Sequence, residues 1–124
     1  MNFTAIDFET ANGFRGSACA IGAAKFRDGK LVATHYTLVQ PPAGYDRFDP
    51  RNIAIHGITP GDVVTAPAFA EHFKDFYAFI DHDVVFAHNA GFDIGVIEAG
   101  LEVSKQPIPR LEFACALGLS RKTS

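Results

Sequence analysis

The stretch AIDFETAN, residues 5–12, decides how the chain starts to fold. Residues 3–8 are short, apolar and β-prone, and the turn-forming run Asn12-Gly13-Phe14-Arg15-Gly16 soon follows, so they read as a first strand. Asp7 and Glu9 stand one residue apart in it, flanked by Ile6 and Phe8. Side chains alternate along a strand, so both acids point to one face with backbones about 6.5–7 Å apart. Two like charges at that spacing in poorly solvated surroundings repel and raise each other's pKa. A hard divalent cation such as magnesium or manganese reverses the sign of that interaction, because it prefers carboxylate oxygens. Spacing alone leaves two readings open: half of a metal site, or a strand end with two solvated acids.

Outward from this strand, residues 17–26 form a second strand of small residues, and Asp28-Gly29 marks a tight turn. Residues 31–39 resume the β pattern until Pro41-Pro42 stops it, which makes an antiparallel meander of three. A short helical turn is expected over 52–56, closed by Gly57. Helical periodicity begins at Thr65, a candidate N-cap with Pro67 in the first turn, and Phe69, Phe73, Phe76 and Ile80 form one apolar stripe. Residues 84–87 read as a short buried strand. The chain then turns at His88-Asn89 into a helix that buries Phe92, Val96, Ile97 and Leu101. Pro107 and Pro109 end that helix, and 111–117 supply a final strand. The predicted fold is α/β: a mixed five-stranded sheet, three strands in a meander and two alternating with helices, with helices packed on it.

The 124 residues allow one domain, and 12 Phe without Trp point to a Phe-rich core. A formal charge of −3 excludes a generic coat for nucleic acid, which needs many Lys and Arg contacts, but not a grip on a short strand end. Cys19 and Cys115 share no metal or redox spacing. No signal segment and no membrane-length apolar run is present, so the expectation is a soluble cytoplasmic protein with no membrane partner.

Two further stretches carry chemistry. AHNAGFD, residues 87–93, lies where an apolar strand hands over to a helix, and ligands gather beyond such strand ends. Asn89 is a candidate N-cap, and Asp93 falls in the first turn, where the helix dipole favours an anion. Alone, Asp93 reads as a helix-stabilising acid and His88 as a hydrogen-bonded core residue. If the strand before Asn89 lies beside the first strand, however, Asp93 approaches Asp7 and Glu9, and three converging carboxylates call for a metal. In NIAIHGIT, residues 52–59, His56 and Ile58 could pack a base or sugar, or Gly57 could simply cap a helix end.

Asp7-Phe8-Glu9-Thr10, then 52–59, then His88-Asn89-Ala90-Gly91-Phe92-Asp93, in that order, resemble the DEDD-type (DEDDh) 3′–5′ exonucleases. Within that family the likeness is to the proofreading (epsilon) subunits of bacterial DNA polymerase III and their stand-alone relatives. The resemblance implies a ribonuclease-H-like fold with helices on both faces of the sheet. It implies two divalent metal ions (Mg2+ or Mn2+) held by Asp7, Glu9 and Asp93, which would be the catalytic carboxylates. It also implies that Thr10 contacts the terminal nucleotide, that His56 and Ile58 line its pocket, and that Asn89 and Phe92 complete the substrate-binding set. The implied substrate is the 3′ end of single-stranded DNA in proofreading or repair, with RNA as the alternative, and a DNA polymerase is the implied partner.

Family members also carry a His followed five residues later by an Asp after the final strand, and residues 94–124 contain no His. The expectation is therefore a C-terminally truncated exonuclease domain over 1–124, without its closing helices and weakly active or inactive. A catalytically dead end-binding or replication adaptor is the alternative of another class.

Overall fold

The computed structural model describes residues 1–115 and 121–123. β1 (Phe3–Thr10) pairs antiparallel with β2 (Ala18–Arg27), which pairs antiparallel with β3 (Lys30–Leu38). At the turn between β2 and β3, Asp28 and Gly29 both take positive φ (53° and 78°), the twist that a two-residue hairpin requires. After α1 (Pro50–His56), a 3-10 turn (Pro60–Val63) and α2 (Phe69–Ile80), β4 (Val84–Ala87) returns parallel to β1. α3 (Ala90–Val103) then leads to β5 (Glu112–Cys115), parallel to β4. The five strands are those expected. A short β6 (Arg121–Thr123) adds an antiparallel edge, giving the order β3-β2-β1-β4-β5-β6. The expected last strand is shorter than 111–117, and residues 116 and 117 lie outside the described residues.

The alternation in β1 sorts the two faces. Thr4, Ile6, Phe8 and Thr10 are buried, while Phe3, Ala5, Asp7 and Glu9 are half-buried or exposed. α2 and α3 both cover the buried face. The predicted stripe Phe69, Phe73, Phe76 and Ile80 is buried there, with Phe8 ringed by Phe69 (6.4 Å) and Phe76 (5.5 Å). Val96, Ile97 and Leu101 of α3 join the same core, together with Ile94, which is buried where the pattern assigned Phe92. Among the described residues no long helix packs on the opposite face, where the rings of Phe3, Phe26 and Phe86 stack half-exposed.

The start of α2 differs from expectation. Ala68, not Thr65, occupies the N-cap and makes no side-chain cap bond. The carbonyl of Pro67 accepts the Gln40 N–H (2.8 Å) and Ala68 bridges Gln40, so the edge of the sheet holds this segment extended. Gly57 closes α1 as expected. It takes φ +74° and donates its N–H to the Ile53 carbonyl at 2.7 Å.

Candidate active site

β1 is longer than β4 at its carboxyl end. Their pairing stops at Ile6 opposite Ala87, so Asp7 to Thr10 stay paired with β2 but have no strand on their β4 side, where the chain leaving β4 turns into α3. The first turn of α3 therefore lies beside the unpaired edge of β1, and the Phe8 N–H reaches the Asp93 carboxylate. The Asn89 side chain accepts the Phe92 N–H at 3.4 Å and caps the helix. Asp7 faces Gly22 and Glu9 faces Ala20 across the hairpin, so the two acids share the open face.

The charges at this end are strained. Asp93 is only 4% exposed, and its Oδ1 has no hydrogen-bond partner among the described residues. Burial and then the charge of Asp7 push its carboxyl up to about 7, with a smaller push from Glu9 against the pull of the Phe8 N–H. Glu9 is raised as well, first by burial and then by Asp7, with His56 opposing. A buried carboxylate oxygen without a donor is costly unless a cation completes it. An orphaned oxygen on a carboxylate that two further carboxylates repel is the kind of site a divalent ion would relieve. Among the described residues, no three His, Cys, Asp or Glu side chains form a ready-made metal cage. Such an ion would draw its remaining ligands from water or substrate, as magnesium commonly does.

Beside the acids, Phe8, Glu9, Thr10, Asn52, Ile55, His56 and Phe92 line a cavity of about 250 Å³. Of the residues predicted from sequence, Thr10, His56 and Phe92 meet here. Ile58 does not line it: it is 7% exposed and packs with Ala11, Cys19, Ala20 and Val63. Ile55 takes the place at the wall, 82% exposed and one turn from Asn52. Asn89 is committed to its cap and is not part of the wall, and His88 is exposed rather than a core residue.

His56 offers the cavity its ring rather than a free nitrogen. Its Nδ1 accepts the Ile58 N–H (2.9 Å), so the proton sits on Nε2 and is donated to the Thr10 carbonyl (2.9 Å). Asn52 Nδ2 donates to the Thr10 carbonyl (3.0 Å), the Asn12 carbonyl (3.3 Å) and Thr10 Oγ1 (3.4 Å), tying α1 to the end of β1. Asn52 and Ile55 were not singled out from the sequence. Their spacing with His56, i, i+3 and i+4, is the available signal, because it places all three on one side of a helix.

Residues 4–124 match the exonuclease family designated RNase T. The chain belongs to that family. The exonuclease domain is 37% identical over 111 residues to DNA polymerase III subunit epsilon of Treponema pallidum, covering 86% of this chain and 49% of the relative. A solved structure of exonuclease X in complex with 5′ overhanging duplex DNA aligns with a TM-score of 0.71 and 31% identity, over 91% of this chain and 58% of that one. The nuclease domain of 3′hExo, a DEDDh family member bound to rAMP, aligns with a TM-score of 0.77 at 14% identity over 91% of this chain and 65% of that one, which speaks for the fold. The sheet is thus the ribonuclease-H-like one anticipated. The exonuclease domain spans half the length or less of the curated relatives it matches. Exonucleases of this kind generally work with divalent metal ions. No helix among the described residues is long and apolar enough to cross a membrane.

Proposed function

We propose that this domain is a metal-dependent 3′–5′ exonuclease module that hydrolyses the terminal phosphodiester of single-stranded DNA, in proofreading or repair. The observation that carries the reading is the buried, unpartnered Oδ1 of Asp93, a carboxylate electrostatically coupled to Asp7 and Glu9, near a cavity of about 250 Å³ that Glu9 also lines. Asp7, Glu9 and Asp93 would hold the divalent ions, two by likeness to the family. Bound there, the ions would supply Lewis acidity and an acidified water. Thr10, Ile55 and Phe92 would hold the terminal nucleoside against the ring of His56, and Asn52 would keep Thr10 in place. A DNA polymerase as partner and the cytoplasm as location belong to the same reading. They rest on the relative being a polymerase subunit and on the soluble character of the sequence.

The test is release of mononucleotides from 3′-labelled single strands of DNA and of RNA, with magnesium or manganese, for the wild-type chain and Asp7→Ala. Turnover on DNA that Asp7→Ala abolishes is expected, because Asp7 would hold the divalent ions. Preference for RNA would replace the substrate. Manganese titrations indistinguishable between the two proteins, with no turnover, would favour the adaptor reading.

A further inference from the structure

Arg15 lies in the β1–β2 connection and reaches across to α3. Its Nη1 donates to the Gly91 carbonyl at 3.0 Å, and its guanidinium carbon stands 5.8 Å from the centre of the Phe92 ring. Gly95, one turn further along, makes room for it. A Cβ there would fall 2.6 Å from Nη1 and 2.8 Å from Cδ, so a side chain at 95 requires the exposed arginine to shift from this position. Glycine inside a helix is otherwise unfavourable, and this contact accounts for it.

The base from which Arg15 extends is rigid. Ala11 N–H donates to the Ser17 carbonyl (2.8 Å) and Ser17 N–H to the Phe14 carbonyl (3.1 Å), while Asn12 Oδ1 accepts the Phe14 N–H (2.9 Å). Asn12 Nδ2 and Ser17 Oγ fasten the loop to the carbonyls of Arg47 (2.7 Å) and Tyr45 (2.6 Å). The residues that Arg15 grips, Gly91 and Phe92, share the first turn with Asp93. We propose that Arg15 is a positioning residue: it ties the strand bearing Asp7, Glu9 and Thr10 to the helix turn bearing Phe92 and Asp93, and so sets the spacing of the two halves of the site. The role at the site rests on the exonuclease reading; the clamp itself does not.

The experiment compares Arg15→Ala, Arg15→Lys, Gly95→Ala and the Arg15→Ala/Gly95→Ala pair by manganese titration, thermal unfolding and amide hydrogen exchange over residues 92–97. Arg15→Ala is expected to weaken manganese binding about ten-fold, the low end for losing a group that orients a metal ligand. Arg15→Lys should fall between, since it keeps the charge without the planar fork. Gly95→Ala should weaken binding as much as Arg15→Ala while unfolding at the same or a higher temperature, because alanine favours the helix. That outcome separates positioning from mere stability. The double variant should be no worse than either single one, and exchange at 92–97 should quicken in each. Gly95→Ala binding manganese like wild type, or unchanged exchange in Arg15→Ala, overturns the proposal. A wild type that binds no manganese overturns the exonuclease reading instead, and the exchange measurement still decides the clamp.

Discussion

Asp93→Asn should stabilise the metal-free protein at alkaline pH. Burial, Asp7 and Glu9 hold the Asp93 carboxyl near 7 in the folded chain, against 3.8 for the free group. Below about pH 4 both folded and unfolded chains keep the proton, and the substitution changes little. Between about pH 4 and 7 the unfolded chain ionises while folded Asp93 does not, so wild-type stability falls as pH rises, and above about pH 7 the penalty is constant. At 1.36 kcal/mol per unit the penalty is at most about 4 kcal/mol, and side-chain relaxation towards the open end of the sheet reduces it to about 2. Losing the acid from the first helical turn takes back about 0.5 kcal/mol. The net gain, on the order of 1–2 kcal/mol, corresponds to several degrees in Tm for 124 residues. The assay is thermal unfolding by circular dichroism in EDTA at about pH 4 and about pH 8, then in manganese. Manganese should raise the wild-type Tm and leave Asp93→Asn unmoved, reversing the order of the two proteins. An asparagine variant less stable than wild type at alkaline pH without metal would refute the argument that Asp93 is held at a cost.

Three other perturbations test the frame around the site. His35 Nε2 lies 2.8 Å from His72 Nε2, and burial and then the charge of His72 hold His35 below its usual 6.5, with Asp75 pulling the other way. Stability from this contact should be complete above about pH 6.5 and lost as pH falls through the folded value. Urea unfolding of His35→Gln should show a flatter acid limb and about 1 kcal/mol less stability at neutral pH. Asn52→Ala removes the bonds that fix Thr10, and calorimetry should show weaker binding of a nucleoside monophosphate with manganese affinity little changed. Phe76→Ala empties a fully buried site against Phe8 and Phe73 and should cost about 3–5 kcal/mol in equilibrium unfolding.

The strands and the two long helices were legible because their signals are local. The stripe Phe69–Phe73–Phe76–Ile80 and the turn at Asp28-Gly29 need no knowledge of the rest of the chain. Asp7 and Glu9 were legible as a pair for the same reason. Asp93 became a partner only through the parallel pairing of β4 with β1, which no single segment contains. What misled was equally physical. Thr65 offered a good cap, but the bond from Gln40 to Pro67 holds the backbone extended past it. Ile58 and Ile55 look alike in sequence; the αL turn at Gly57 buries the first and leaves the second at the cavity. Arg15 was invisible as a partner of Gly95 because 80 positions separate two residues that only the loop geometry brings together.

α3 gathers the choices that local propensity would reject. Besides the buried Asp93, it carries Gly91, Gly95 and Gly100, so its stability must come from neighbours rather than from its own sequence. Each departure then needs its own neighbour, and the glycines differ in this respect. A Cβ at Gly100 would lie 2.7 Å from the Phe69 ring, in the contact that seats α3 against α2. A Cβ at Gly91 would meet only Asn89 Oδ1, at 3.8 Å. Gly100→Ala should therefore destabilise the domain by about 1–3 kcal/mol, because Phe69 is fully buried and has nowhere to move. Gly91→Ala should stabilise it by about 0.5–1 kcal/mol through helix propensity alone. Equilibrium urea unfolding of the two variants decides the matter. Equal effects of the same sign would mean that α3 is held by propensity, and that packing of Phe69 against Gly100 does not decide how it is seated.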